Sequence, residues 1–141
     1  HIWRRLILED CRVREASVTV WAMGKVGYPE CKKDWGDTVG GLLEGDKEVR
    51  EKVWRDGRVS NIAGYFWAAG KVGVQCEEWF KEIERRDSSV QKKVLHNATP
   101  GEIGQILWSS LAHSVELKNF YAAVDECWGR ISMRNGGRKG D

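Results

Sequence analysis

The residues best suited to chemistry in this chain are few and scattered. There are three histidines, His1, His96 and His113, and four cysteines, Cys11, Cys31, Cys76 and Cys127. No histidine stands at ligand or triad spacing from a cysteine or an acid cluster, so no nucleophile–base–orienter set is written here. The absence of Cys-x-x-Cys argues against a zinc site or redox pair, and the wide spacing fits buried thiols in a reducing compartment. Asp125-Glu126 reads as a solvated acidic pair at a helix end rather than a dyad. No Gly-rich phosphate loop follows a strand, because no segment alternates as a strand would. The expectation is a protein that is not an enzyme, with no metal and no cofactor.

Binding chemistry is better represented. Eight tryptophans in 141 residues is a high share. The net charge is only +2, from 23 basic and 21 acidic residues, which by itself argues weakly for a nucleic-acid partner. The basic excess lies at the end of the chain, where Arg130, Arg134, Arg138 and Lys139 face only Asp141. A Gly-rich basic tail over 133–141 is expected, either a solvated end or an arm for phosphate.

The tryptophans are not randomly placed. Trp21-Ala22-Met23-Gly24-Lys25-Val26-Gly27 returns 46 residues later as Trp67-Ala68-Ala69-Gly70-Lys71-Val72-Gly73, six of seven positions being identical. The same offset carries Asp10, Arg12 and Val13 onto Asp56, Arg58 and Val59. A fainter third copy follows after 41 residues: Val49, Val53, Ile62, Phe66 and Trp67 map onto Val90, Val94, Ile103, Leu107 and Trp108. Self-similarity at this period is the signature of a repeat architecture. The units fall at about 3–48, 49–89 and 90–132. The extra length of the first is assigned to a loop across Gly36 to Asp46, which is rich in glycine.

These motifs need helices to position them. Ile62, Phe66, Trp67 and Gly70 follow a helical spacing. Thr99-Pro100-Gly101-Glu102 reads as a capping box with proline in the first helical position. Gly27 and Gly73 close their helices, with Lys25 and Lys71 in the last turn. A second helix is marked by Cys76, Trp79, Phe80 and Ile83, and again by Leu117, Phe120, Tyr121 and Val124; Cys31 and Trp35 begin a poorer version. Shorter helical segments cover Val49 to Arg55 and Val90 to His96, the latter capped within Asp87-Ser88-Ser89. The fold expected is all-α, an α-solenoid of about three helical-hairpin repeats forming one domain over 1–132. Trp21, Trp67 and Trp108 are read as core wedges; stacking on bases is the less favoured alternative. No apolar run approaches the roughly 20 residues of a membrane-spanning helix. No secretory or transit-like start is read at His1, and the chain is expected to be a processed or trimmed piece of a longer protein.

An apolar residue five before Trp-Ala, then a small residue and Lys-x-Gly, resembles the helix of organellar RNA-binding repeats. These are the octotricopeptide and heptatricopeptide repeats and the related repeats that precede RAP domains. The match is carried by Ser60-Asn61-Ile62, Phe66-Trp67-Ala68 and Lys71-Val72-Gly73, by Thr99 to Ile103 with Ile106-Leu107-Trp108, and by Trp21 to Gly27. The resemblance implies a mitochondrial or plastid RNA-binding solenoid, and a mitochondrial ribosomal component in particular. Nothing in the chain reads as a RAP domain.

If RNA binds, it is expected on the side of the Trp helix opposite the tryptophans. Asn61, Tyr65 and Gln105 are the groups there that could read or stack an unpaired base. Arg12, Lys25, Arg58 and Lys71 recur at equivalent positions and are expected to form one positive strip along phosphates. Arg134, Arg138 and Lys139 complete the RNA-binding set, while Glu15 and Glu102 oppose it. Arg4-Arg5 and Lys92-Lys93 lie near the outer edges of units, where ribosomal RNA could rest without sequence reading. The partners expected are ribosomal RNA and neighbouring ribosomal or repeat proteins, with no membrane and no small-molecule substrate. The competing reading, favoured by the near-neutral charge, is a protein-interaction scaffold that does not touch RNA.

Overall fold

The computed structural model describes residues 2–27 and 29–134; of residues 29–31 and 37 only the backbone is described. Every regular element among the described residues is helical. They are α1 (Ile2–Arg4), α2 (Val13–Val26), α3 (Pro29–Asp34), α4 (Gly41–Gly45), α5 (Lys47–Asp56), α6 (Val59–Val72), α7 (Glu77–Glu84), α8 (Ser89–Asn97), α9 (Pro100–Ala112) and α10 (Lys118–Ile131). Two π-helical stretches, Arg5–Glu9 and Trp35–Gly40, extend α1 and join α3 to α4. No described helix is long and apolar enough to cross a membrane.

The three Trp helices, α2, α6 and α9, lie side by side in that order. Small residues make the approach possible. A Cβ placed on Gly24 would sit 2.5 Å from Cβ of Ala68 on α6, and one on Gly70 would sit 3.3 Å from Cα of Ser109 on α9. Trp21 meets Gly64 and Gly24 meets Ala68, so α2 and α6 run in the same direction. The repeated Gly of the motif is therefore the contact point between consecutive copies, where any side chain would force the helices apart.

Helix ends follow the local chemistry. The Thr99 hydroxyl accepts from the Glu102 N–H at 3.3 Å while the Glu102 carboxylate accepts from the Thr99 N–H at 2.9 Å, a reciprocal capping box. Ser88 caps α8 through the Gln91 N–H. Gly27 and Gly73 take left-handed φ of +66° and +81° at the ends of α2 and α6, a conformation that glycine adopts without strain. In the third copy the residue equivalent to Gly73 is Ser114, also left-handed, at φ +56°.

The core fills the space behind this row. Tyr65 stacks on Trp79 with centroids 3.8 Å apart and planes 11° apart. Trp35, Trp54 and Phe66 close around the pair. Cys76, Trp79, Phe80 and Ile83 are all buried, as their spacing predicts, and so are Leu117, Phe120 and Val124; Tyr121 points out. The segment assigned to a glycine loop differs from expectation. Residues 35–45 are helical, and Trp35, Val39 and Leu43 are buried at i, i+4 and i+8. Gly40 explains this, because a Cβ there would lie only 2.2 Å from the Trp35 ring. Gly40 makes room for an indole instead of breaking the helix.

One feature ties each unit to the next. Lys93 Nζ donates to the carbonyls of Trp54, Arg55 and Gly57 at the end of α5, at 2.6, 3.0 and 2.9 Å. Forty-one residues on, Arg134 Nη1 donates to the carbonyls of Leu95 and Ala98 at the end of α8, at 2.8 and 2.9 Å. Forty-one residues before Lys93, Lys52 reaches Cys11 Sγ at 3.8 Å and pairs with Asp56 at 2.6 Å. A cation at each 41-residue step thus reaches back to a segment 36–41 residues earlier in the chain. At α5 and α8 it supplies donors to carbonyls that a helix terminus leaves open.

Candidate nucleic-acid interface

The motif Trp-x-x-Gly-Lys places its three residues at i, i+3 and i+4, on one face of a helix. Packing three such helices in a row brings the copies together. The Trp21 and Trp67 rings stack at 6.2 Å between centroids and 29° between planes. The Trp67 ring leans over Gly24, 3.4 Å from where a Cβ would be, and the Trp108 ring leans over Gly70 at 2.8 Å. Lys25 Nζ lies 5.5 Å from the centre of the Trp21 ring, and Lys71 Nζ lies 6.0 Å from both Trp67 and Trp108. The result is one continuous row of indoles and ammonium groups across α2, α6 and α9.

This row faces out. Trp21 is 40% exposed and Trp108 41%, with Trp67 between them half-buried. The expectation that these tryptophans form the core is therefore overturned for Trp21 and Trp108, while Trp67 packs against the core. The core stripe of α6 runs through Ile62, Phe66 and Ala69. Trp67 follows Phe66 by one residue, a rotation of about 100° at 3.6 residues per turn, which carries it to the edge of that stripe. The tryptophans are wedges between neighbouring helices, but at the surface.

The other expected residues separate. Lys25 and Lys71 are exposed and belong to the row. Arg12 and Arg58 are exposed at the opposite ends of the same helices, roughly 20 Å away at 1.5 Å per residue. The four cations form two groups, not one strip. Asn61 is half-buried, and its side-chain oxygen accepts the Arg58 N–H at 3.1 Å, capping α6. Tyr65, expected on the solvent side, is 3% exposed and sandwiched in the aromatic core, so its ring is closed to a base. Gln105 is half-buried on α9. Arg134 is committed to the end of α8, while Arg138 and Lys139 lie outside the described residues. The residues that sequence reasoning set aside, Trp21, Trp67 and Trp108, are the ones the fold assembles. The lysine four residues after Trp21 and Trp67 was the available signal, since that spacing sets an ammonium beside its own indole.

The chemistry of the row is that of a stacking platform. Half-exposed indoles offer flat apolar faces to unpaired bases, and the neighbouring ammonium groups can reach phosphate. Lysine over an exposed ring contributes about 0.5–1 kcal/mol, so the side chains are held in place without being consumed. Among the described residues no cluster of His, Cys, Asp or Glu is arranged to hold a metal ion. Burial pushes the Cys76 thiol well above its ordinary range, favouring the inert neutral form.

Comparison with known proteins yields no relative: no family model matches the chain, and no curated protein or solved structure is significantly similar to it.

Proposed function

We propose that this all-helical chain is a short α-solenoid that binds single-stranded RNA across α2, α6 and α9, acting by binding and not by catalysis. The observation that carries this reading is the row Lys25–Trp21–Trp67–Lys71–Trp108, in which Trp21 and Trp108 are exposed, Trp67 is half-buried between them, and the rings are interleaved with cations. Aromatic faces with lysines recognise unpaired nucleotides with little sequence preference. The resemblance of the Trp-Ala-x-Gly-Lys motif to organellar RNA-binding repeats supports the same reading, and on that resemblance the proposed setting is a mitochondrion, with the protein a ribosomal component against ribosomal RNA, beside other ribosomal or repeat proteins.

The test is binding of a labelled single-stranded RNA at two salt concentrations. Affinity should fall with salt, and Trp67→Ala should weaken it by about 1–3 kcal/mol, the worth of one stacked base. Binding that is absent, or indifferent to Trp67→Ala, removes the reading. Enrichment of the protein in mitochondrial ribosomal particles tests the narrower assignment.

A second reading, a protein-interaction scaffold, is favoured by one observation. Leu111 and Tyr121 are 76% and 64% exposed along one groove between α9 and α10, an apolar surface of the kind that partners cover. Leu111→Asp would abolish a protein partner's binding while leaving RNA affinity intact.

A further inference from the structure

A second cationic site lies away from the Trp row. The turn at 85–88, α8 and α10 enclose a cleft of about 330 Å³, at the small end of the range for ligand sites. Lys92 and His96 stand one turn apart on α8, Arg86 comes from the turn, and Arg130 comes from α10. Two acids, Asp87 and Glu126, share the rim. Alanines at 122 and 123 on α10 keep the space between the walls open.

Two features distinguish this cleft from an ordinary polar surface. First, its cations are unspent. Several basic side chains elsewhere have carboxylate partners: Arg85 has Glu82 at 2.9 Å, Lys52 has Asp56 at 2.6 Å and Lys81 has Glu78 at 3.7 Å. Among the described residues none of Arg86, Lys92, His96 and Arg130 forms an ion pair. Arg130 reaches only Cys127 Sγ, at 3.4 Å. Second, the walls are braced. The Glu84 carboxylate accepts the N–H groups of Asn119 and Phe120, both at 2.9 Å, fixing the start of α10. Arg134, just past the end of α10, holds the last carbonyls of α8. Gln91, 3% exposed, spans from the Ile83 carbonyl to the Asp87 N–H and sets the turn. A cleft tied at both ends keeps its donors apart and ready, so little ordering is left for a ligand to impose.

We propose that this cleft binds a phosphoryl group, held between Lys92 and His96 on one wall and Arg130 on the other. Arginine offers a planar fork to phosphate oxygens and lysine a point charge. The same chemistry could come from a free nucleotide or from an RNA backbone.

Cys127 lines the cleft, half-buried, and serves as the reporter. The rate of Cys127 alkylation in the full chain is followed by mass spectrometry, with Cys11, which is exposed, as the internal control. Three probes are compared: tripolyphosphate, AMP, and a single-stranded RNA. Tripolyphosphate should slow Cys127 several-fold and leave Cys11 unchanged. The surface double variant Lys92→Gln/Arg130→Gln should weaken that protection about tenfold, a change of about 1.4 kcal/mol. Glu126→Gln, which removes a like charge, should strengthen it. Calorimetric titration with tripolyphosphate reads the same binding without the thiol. AMP protecting as well as RNA identifies a nucleotide site; RNA alone protecting identifies a backbone site. Absence of protection and of heat at millimolar tripolyphosphate, or protection that survives the double variant, overturns the proposal. The tripolyphosphate and AMP arms do not depend on the Trp row, so its failure and the failure of this cleft are read separately.

Discussion

The middle and last Trp helices come from one motif and live in different surroundings. Among the described residues α6 has a Trp helix on each flank and buries Val59, Ile62, Ala63, Gly64, Tyr65, Phe66, Ala68, Ala69 and Val72; α9 has a Trp helix on one flank and buries Ile103, Ile106, Ser109 and Ser110. The sequence difference matches. Where α6 has Gly70-Lys71, α9 has Leu111-Ala112. Gly70 receives the Trp108 ring and Lys71 bridges to it. Leu111 receives nothing and is 76% exposed. Gly-Lys in this motif is thus a socket for the next copy's tryptophan, and the last described copy lacks the socket.

The strongest test of that contrast exchanges the two residues. Gly70→Leu puts a side chain where even a Cβ would be 2.8 Å from the Trp108 ring and 3.3 Å from the Ser109 backbone. It should cost about 3 kcal/mol by overpacking, read as a lowered denaturant midpoint. Leu111→Gly should cost only about 1 kcal/mol, the helix-propensity difference. Equal costs would break the comparison.

The joints between units give the next effect. Lys93→Met removes a charged donor from three carbonyls at the end of α5, with an expected loss of about 2 kcal/mol. Lys52→Met should cost less, because the first joint has a thiol at 3.8 Å in place of carbonyls. A larger loss at Lys52 would show that the joints are not equivalent in the way their spacing suggests.

Along the Trp row, Lys71→Gln should weaken RNA binding more than Lys25→Gln, since Lys71 lies beside two rings and Lys25 beside one. Each should lower the salt slope by about 1 if the ammonium meets a phosphate. Tyr65→Phe sharpens the contrast from the buried side. Among the described residues the Tyr65 hydroxyl has no hydrogen-bond partner, so its removal should leave stability within about 0.5 kcal/mol or raise it, with RNA affinity unchanged.

The smallest effect is on acid stability. Lys52 holds the Asp56 carboxyl below the usual carboxylate range. A carboxyl lowered in the folded state adds stability above its unfolded value, about 3.9, and that contribution disappears as pH falls through the lower folded value. The stability difference between the wild type and Asp56→Asn should therefore be present at neutral pH and close below about pH 4.

Much of the helical frame could be read from the residues. Thr99 with Glu102, Gly27, Gly73 and the buried stripe from Cys76 to Ile83 all act as their spacing predicts, because capping and periodicity are local physics. Three things were hidden. Trp67 beside Phe66 looks like core, and only the arrival of α2 and α9 on either side decides that it lies at the rim. Gly36 to Gly45 looks like a loop, and the indole of Trp35 explains why a glycine is needed at position 40 within a helix. Lys52, Lys93 and Arg134 recur every 41 residues, yet each looked local: one on a helix, one in a basic pair, one in a tail. Their shared role depends on contacts 36–41 residues back in the chain.

That last spacing bears on how the chain is made. The carbonyls that finish α5 and α8 receive their donor from residues 36–39 positions later. During synthesis each of these helix ends must wait, open to water, until a further 36–39 residues have emerged. Closing a joint then reports that this length of chain has arrived, so the order of translation becomes the order in which the helix ends lock.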